Sequence, residues 1–140
     1  MTFVVDSSVA LSWCFEDERT PETRSLLERV AETGASAPNH WPAEVLNGLM
    51  MAERRKRIGP DQRRRLADFL RDLPIKLDAE TIDQLWTATQ TLAERFRLTV
   101  YDAIYLEQAH RLALPLATLD RELRTAASSL GVNTLGLNAA

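Results

Sequence analysis

Four acidic residues are the side chains of this 140-residue chain that are best suited to chemistry: Asp6, Glu44, Asp102 and Asp120. If folding brings them together, their carboxylates repel one another and raise one another's pKa, so the cluster needs a compensating cation. Oxygen ligands select hard ions such as Mg²⁺ or Mn²⁺. Such an ion orients and acidifies a water and neutralises charge that grows on phosphate oxygens. The chemistry predicted for these residues is therefore metal-assisted phosphodiester hydrolysis.

The elements predicted around these acids favour a common location. Asp6 ends a short apolar strand, and Asp120 follows the predicted strand over residues 116–118 by one residue. Glu44 lies in the first turn of a helix opened by Pro42. In an open α/β sheet, ligands bind outside the carboxyl ends of the strands. Asp6 and Asp120 follow strands and reach that edge directly. The strand predicted before Glu44 is weak, so the position of Glu44 is less well defined. Asp102 follows a predicted helix, and its place at this edge is implied only by a family resemblance.

Strands and helices alternate along the chain, which predicts an α/β fold. We expect a three-layer α/β/α sandwich with a central, mainly parallel sheet of four to five strands. Ser7 or Ser8 is expected to cap the first helix, and a continuous amphipathic helix is expected from Ile82 to Phe96. We expect one domain over residues 1–140, with a helical hairpin at about 42–73. Trp13, Trp41 and Trp86 are expected in the core or at an interface.

A simpler interpretation competes for each acid. An acidic residue in the first turn of a helix is stabilised by the helix dipole, by about 0.3–1 kcal/mol, without any function. Asp102 fits this interpretation best, because Thr99 and Asp102 have the spacing of a capping box. Glu44 fits it least, because Trp41, Val45 and Leu46 around it are apolar. The alternative function is thus a non-catalytic α/β interaction module whose acids only cap helices.

The acids stand in segments that resemble one known family. The segments are Phe3-Val4-Val5-Asp6-Ser7-Ser8, Pro42-Ala43-Glu44-Val45-Leu46-Asn47, Thr99-Val100-Tyr101-Asp102-Ala103 with Tyr105 and Ala109, and Leu116-Ala117-Thr118-Leu119-Asp120. In this order, over nearly the whole chain, they resemble PIN-domain ribonucleases, and specifically the VapC-type toxins of toxin–antitoxin pairs.

That resemblance implies roles for individual residues. Asp6, Glu44, Asp102 and Asp120 match the family's catalytic, metal-binding acids, while Ser8 and Thr118 match the small hydroxyl residues that support them. Asn47, one helical turn after Glu44, matches a polar position beside the site. The resemblance also implies an RNA substrate, Mg²⁺ or Mn²⁺ as cofactor, a cognate VapB-like antitoxin and a homodimer.

A basic cluster lies between residues 53 and 65, where seven basic and two acidic residues give a net charge of +5. Its candidate RNA-binding residues are Arg54, Arg55, Arg57, Arg63 and Arg64. The rest of the chain has a net charge of −8, so that the total is −3. This uneven distribution allows a phosphate-binding surface in a net-acidic protein. An acidic segment of a protein partner could use the same cluster.

Other site classes are disfavoured. Cys14 is the only cysteine, which excludes a disulfide framework and a cysteine-based zinc site and fits a reducing cytoplasm. His40 and His110 have no partner at metal-ligand spacing, so neither is expected to bind zinc or act as a general base. The five glycines do not have the spacing of a nucleotide-binding loop. No apolar run is long enough for a transmembrane helix, and we expect no signal peptide and no membrane partner.

Overall fold

A computed structural model of the chain describes residues 2–137. Its centre is a five-stranded sheet formed by β1 (Val4–Val5), β2 (Ala35–Pro38), β3 (Ile75–Asp78), β4 (Leu116–Ala117) and β5 (Thr134–Leu135). All pairings are parallel, and the strand order is β3-β2-β1-β4-β5. Helices flank the sheet, which confirms the predicted α/β/α sandwich with the larger of the two expected strand numbers.

The helices connect these strands in sequence order. They are α1 (Ser7–Ser12), α2 (Pro21–Thr33), α3 (Trp41–Arg54), α4 (Pro60–Asp72), α5 (Thr81–Gln84), α6 (Gln90–Phe96), α7 (Val100–Leu112) and α8 (Arg121–Ser129). A 3₁₀ turn covers Glu16–Glu18, and a π turn covers Leu85–Thr89. Among residues 2–137, no helix is long and apolar enough to cross a bilayer. The helices α3 and α4, which follow β2 and precede β3 in the chain, pack against each other. The single domain over 1–140 stays a prediction, because its terminal residues lie outside the described range.

The sheet order defines where a ligand can bind. From β1 the chain adds β2 and then β3 on one side, and it later adds β4 and β5 on the other side. In β1 and β4, Val4 pairs with Leu116 and Val5 with Ala117, and all four side chains are fully buried. The carboxyl ends of β1 and β4 thus lie side by side where the winding direction reverses, and ligands of such sheets bind at this place.

One local prediction was wrong, and a second holds only in part. The first helix is capped by Asp6, whose carboxylate accepts a hydrogen bond from the Val9 N–H, and not by Ser7 or Ser8. The expected helix from Ile82 to Phe96 is helical throughout, but its middle, Leu85–Thr89, is a π turn and not α-helix. Ile82 and Trp86 are 60% and 77% exposed, so that Trp86 is not a core residue.

Candidate active site

The carboxylate of Asp6 lies at the carboxyl end of the central strand and is almost completely buried. Its Oδ1 accepts hydrogen bonds from the Ser8 Oγ (2.6 Å) and from the Val9 N–H (3.0 Å). Burial nevertheless raises the pKa of Asp6 from 3.8 to about 6, because desolvation outweighs these bonds and the nearby Asp102 carboxylate adds repulsion. Asp6 therefore favours a bound proton or cation much more than an exposed aspartate does.

Ser8 and Thr118 connect the ends of β1 and β4. The Ser8 hydroxyl donates to Asp6 and accepts the N–H of Leu119 at 3.0 Å. The Thr118 hydroxyl, which is fully buried, accepts the N–H of Asp120 at 3.0 Å, and its hydrogen bond to Asp6 lowers the pKa of that carboxyl. The two hydroxyl residues thereby hold Asp6 and Asp120 at adjacent strand ends.

Asp120 combines an exposed side chain with a fixed orientation. It is the N-cap of α8, and its Oδ1 accepts the N–H of Leu123 at 2.8 Å. Behind it, the Arg124 guanidinium donates to the backbone oxygens of Thr118 and Leu135, both at 3.1 Å. These bonds fix the backbone from which the Asp120 carboxylate projects.

Glu44 reaches the site from the first turn of α3, and a partner from another helix holds it. The Tyr105 hydroxyl, on α7, donates to Glu44 Oε1 at 2.5 Å. The Nε2 atom of His40 lies 3.4 Å from the same oxygen. Burial and the adjacent Glu44 raise the pKa of Tyr105, so that its phenol stays protonated and remains a donor.

Asp102 stands in the first turn of α7, half-buried, with its backbone N–H bonded to the Thr99 Oγ1 at 3.1 Å. This bond is one half of the predicted capping box. Desolvation is the main reason why the pKa of Asp102 is raised, and repulsion by Asp120 and Glu44 adds to it. Asp102 is therefore electrostatically coupled to all three other acids, because it in turn raises the pKa of Asp6.

The four predicted acids thus occupy one electrostatic neighbourhood, but they do not form a closed metal cage. Within residues 2–137, no three His, Cys, Asp or Glu side chains converge as a ready metal-binding group. Mg²⁺ does not require one, since it usually keeps several waters and binds through one or two carboxylates. The donor type and the repulsion at Asp6 and Asp102 fit a hydrated divalent ion, and we expect protein ligands to supply only part of its coordination.

Two residues near these acids were given no role in the site from the sequence, although Tyr105 belongs to a segment that resembles the family. Tyr105 is almost fully buried in α7, yet its hydroxyl binds Glu44. His40 was expected neither to bind zinc nor to act as a general base; it is the N-cap residue of α3, stacks on Tyr101 and packs at an angle against Tyr105. Helical spacing indicates only that His40 and Glu44 are one turn apart, whereas their contacts with α7 arise from tertiary packing.

Comparison with known proteins supports the assignment of this site to a family. The family model described as PIN domain matches residues 3–128. The chain belongs to the PIN-domain family. PIN domains are generally nucleases, which hydrolyse phosphodiester bonds. No curated protein sequence matches the chain.

Solved structures with the same fold cover nearly the whole PIN domain. PAE2754 from Pyrobaculum aerophilum has a TM-score of 0.70 at 19% identity, over 96% of this chain and 83% of that one. FitAcB from Neisseria gonorrhoeae has a TM-score of 0.67 at 13% identity, over 95% and 96%. VapBC2 from Rickettsia felis, bound to a DNA fragment from its promoter, has a TM-score of 0.66 at 16% identity, over 96% and 97%. At these identities the likeness concerns the fold.

The remaining candidate residues lie along α3 and α4 of this PIN domain. Asn47 is exposed on α3, one turn after Glu44. Arg54, at the end of α3, lies about 15 Å along the helix from Glu44, from the helical rise of about 1.5 Å per residue. The rest of the basic cluster follows in the turn after α3 and in α4. Part of its charge is paired: Arg57 binds Asp17 and Glu18, Arg63 binds Glu53, and Arg64 binds Asp61. Arg54 and Arg55 are exposed.

Proposed function

We propose that this PIN domain is a metal-dependent endoribonuclease that acts as the toxin of a toxin–antitoxin pair. The observation that carries the proposal is the set of four coupled carboxylates at the carboxyl edge of the sheet, in a family whose members are generally nucleases. The charges that raise the pKa of Asp102 are those of Asp120, Glu44 and Glu122, all of them acidic. Such a cluster attracts a cation.

Asp6, Glu44, Asp102 and Asp120 are the proposed catalytic and metal-binding residues, with Mg²⁺ or Mn²⁺ as the ion. When bound, the ion supplies an acidified water and neutralises the charge that develops on the phosphate. Ser8 and Thr118 keep Asp6 and Asp120 in place through the hydrogen bonds described above. Asn47 is proposed to contribute a polar contact at the exposed side of α3.

The basic cluster is the proposed surface for the RNA backbone. Two of its exposed arginines, Arg54 and Arg55, stand at the end of the helix that carries Glu44. These charges attract the phosphates of a bound RNA strand and make binding dependent on salt. Arg57, Arg63 and Arg64 are less available, because each already pairs with an acidic side chain.

The resemblance to VapC-type toxins also suggests partners. We infer a VapB-like antitoxin, a homodimer and action in the cytoplasm, where the single buried cysteine stays reduced. The fold shared with VapBC2 and FitAcB supports this inference. A short reading frame for a small DNA-binding protein beside the gene is the expected genetic signature.

Cleavage of total RNA with and without Mg²⁺ or Mn²⁺, followed by end mapping, tests the proposal. We expect cleavage only with the metal, and we expect Asp102→Asn to abolish it while the protein stays folded. Asp61→Asn is a matched control, because Asp61 stands in the first turn of α4, as Asp102 does in α7, but is 83% exposed in its side chain. If Asp102→Asn cuts RNA as well as Asp61→Asn, the assignment of the four acids is wrong. If neither the parent protein nor Asp61→Asn cuts RNA with either metal, the acids only cap helices and the protein is an interaction module.

A further inference from the structure

An exposed aromatic ring lies directly beside the carboxylate cluster. Tyr101 precedes Asp102 in α7 and is 62% exposed. Its ring stacks on the His40 ring, with 6.1 Å between centroids and 24° between planes. His40 in turn packs against the ring of Tyr105, at 5.0 Å and 50°. We call Tyr101 and His40 the stacked pair.

The stacked pair stands at the starts of the two helices that carry Glu44 and Asp102. His40 Nε2 lies 3.4 Å from Glu44 Oε1, and Tyr101 is joined to Asp102 by a peptide bond. Neither ring nitrogen of His40 has a hydrogen-bond partner in the described chain, although both are buried. Packing between two tyrosine rings, together with the contact to Glu44, therefore holds the His40 ring, and the stacked pair is fixed next to Glu44.

Folding alone does not account for an exposed tyrosine at this place. Tyr101 contributes little to the core, since most of its surface faces solvent. A single exposed aromatic residue is ordinary. What distinguishes Tyr101 is that a second ring fixes its orientation and that it adjoins a carboxylate proposed to act on a phosphodiester. Single-stranded RNA is commonly bound at such sites by stacking of its bases on aromatic side chains.

We propose that the exposed face of Tyr101 is a platform on which one nucleobase of single-stranded RNA stacks, next to the phosphodiester that the carboxylates act on. This inference rests on the proposed nuclease function and adds a substrate contact to it. The stacked base sets the register of the strand at the acids. Because adenine offers a larger ring surface than uracil, the platform favours a purine at that position.

Binding of defined oligonucleotides tests the platform without cleavage. The background is Asp6→Asn with Mg²⁺ present, and the probes are oligoadenylate, oligouridylate and an abasic strand with the same ribose-phosphate backbone and length. We expect Tyr101→Ala to weaken oligoadenylate binding about tenfold, since one base–aromatic stack contributes about 1–3 kcal/mol. Tyr101→Phe keeps the ring and is expected to bind like the parent. The abasic strand is expected to bind Tyr101→Ala and the parent equally.

Leu112→Ala is the matched control, because Leu112 is also exposed (41%) but lies at the opposite end of α7. Equal oligoadenylate binding by Tyr101→Ala and Leu112→Ala overturns the platform. An equal loss with the abasic strand also overturns it, since the effect would not involve a base. Weaker self-association of Tyr101→Ala in sedimentation, with RNA binding unchanged, would assign the ring to a protein contact.

The unsubstituted protein is assayed for RNA cleavage in parallel, which separates the two proposals. Cleavage with a Tyr101-independent binding profile contradicts the platform and leaves the nuclease function standing. Tyr101-dependent binding without any cleavage contradicts the nuclease function alone. A protein that neither binds nor cleaves RNA contradicts both.

Discussion

The hydroxyl of Tyr105 on α7 and the carboxylate of Glu44 on α3, 61 residues apart in the chain, form a 2.5 Å hydrogen bond. Tyr105 is 1% exposed, so packing around its ring fixes the hydroxyl and thereby the carboxylate. Partners of this kind orient metal ligands, and their loss typically weakens metal affinity 10–100-fold. Tyr105 is thus a positioning residue for Glu44.

Removal of that hydroxyl is expected to weaken metal binding more than it weakens the fold. Tyr105→Phe keeps the ring and frees Glu44 to rotate, so we expect the Mn²⁺ concentration that half-saturates the thermal stabilisation to rise about tenfold. The measurement is the unfolding temperature as a function of Mn²⁺. Tyr101→Phe removes an exposed hydroxyl from the same helix and is the control. The same Mn²⁺ dependence in both variants would show that Tyr105 does not position Glu44.

Asp6 is expected to make folding stability depend on pH. Its pKa is about 6 in the folded protein and 3.8 in the unfolded chain, so folding takes up a proton between these values. The stability that Asp6 contributes is fully present below about pH 3.8 and is lost as pH rises through 6. At pH 7.5 the difference corresponds to about 3 kcal/mol. We therefore expect Asp6→Asn to be more stable than the parent at pH 7.5.

The free energy of unfolding, measured for both proteins between pH 4 and pH 7.5, checks this expectation. The advantage of Asp6→Asn should shrink as pH falls through 6. Mg²⁺ at pH 7.5 should stabilise the parent more than the variant, because a cation offsets the same buried charge. Parallel stability curves for the two proteins would show that burial does not raise the pKa of Asp6.

Ser8 is expected to stabilise both the fold and the ionised form of Asp6. Ser8→Ala removes the donor to Asp6 and leaves the Leu119 N–H without its acceptor. We expect a loss of about 1–2 kcal/mol in the free energy of unfolding and a higher pKa of Asp6. Ser129→Ala is the control, since the Ser129 hydroxyl makes an exposed bond to the Thr125 oxygen within α8. Equal stabilities of the two variants would contradict the bridging role of Ser8.

Arg111 is expected to anchor the far end of the helix that carries Asp102. It binds Glu107 (2.8 Å), Glu80 (3.0 Å) and Asp78, and Glu107 is 4% exposed. Arg111→Leu leaves buried carboxylates unpaired, which costs about 3 kcal/mol of unfolding free energy. Arg64→Leu breaks an exposed pair with Asp61, with an expected cost below about 1 kcal/mol. Chemical denaturation of both variants measures the loss in the free energy of unfolding. Equal losses would show that the network around Arg111 contributes no more than an exposed ion pair.

Local residue patterns predicted the parts of this structure that depend on neighbours in the chain. The alternation of strands and helices predicted the sheet, and Asp6 was placed correctly after β1 because a buried strand precedes it. The π turn was not predictable from periodicity, since Ile82, Leu85 and Thr89 have ordinary helical spacing. The contact between His40 and the two tyrosines was missed because it depends on how α7 packs against α3.

The N-cap role of Asp120 bears on the choice between a structural and a chemical role for these acids. Its bond to Leu123 engages Oδ1, and the Tyr105 bond to Glu44 engages Oε1. A carboxylate has two oxygens with about four lone-pair sites. A hydrogen bond within the protein to one oxygen therefore leaves lone pairs of the carboxylate for a ligand. A residue that caps the start of a helix is thereby held in a fixed orientation, so that its structural role is compatible with the chemical role proposed for it.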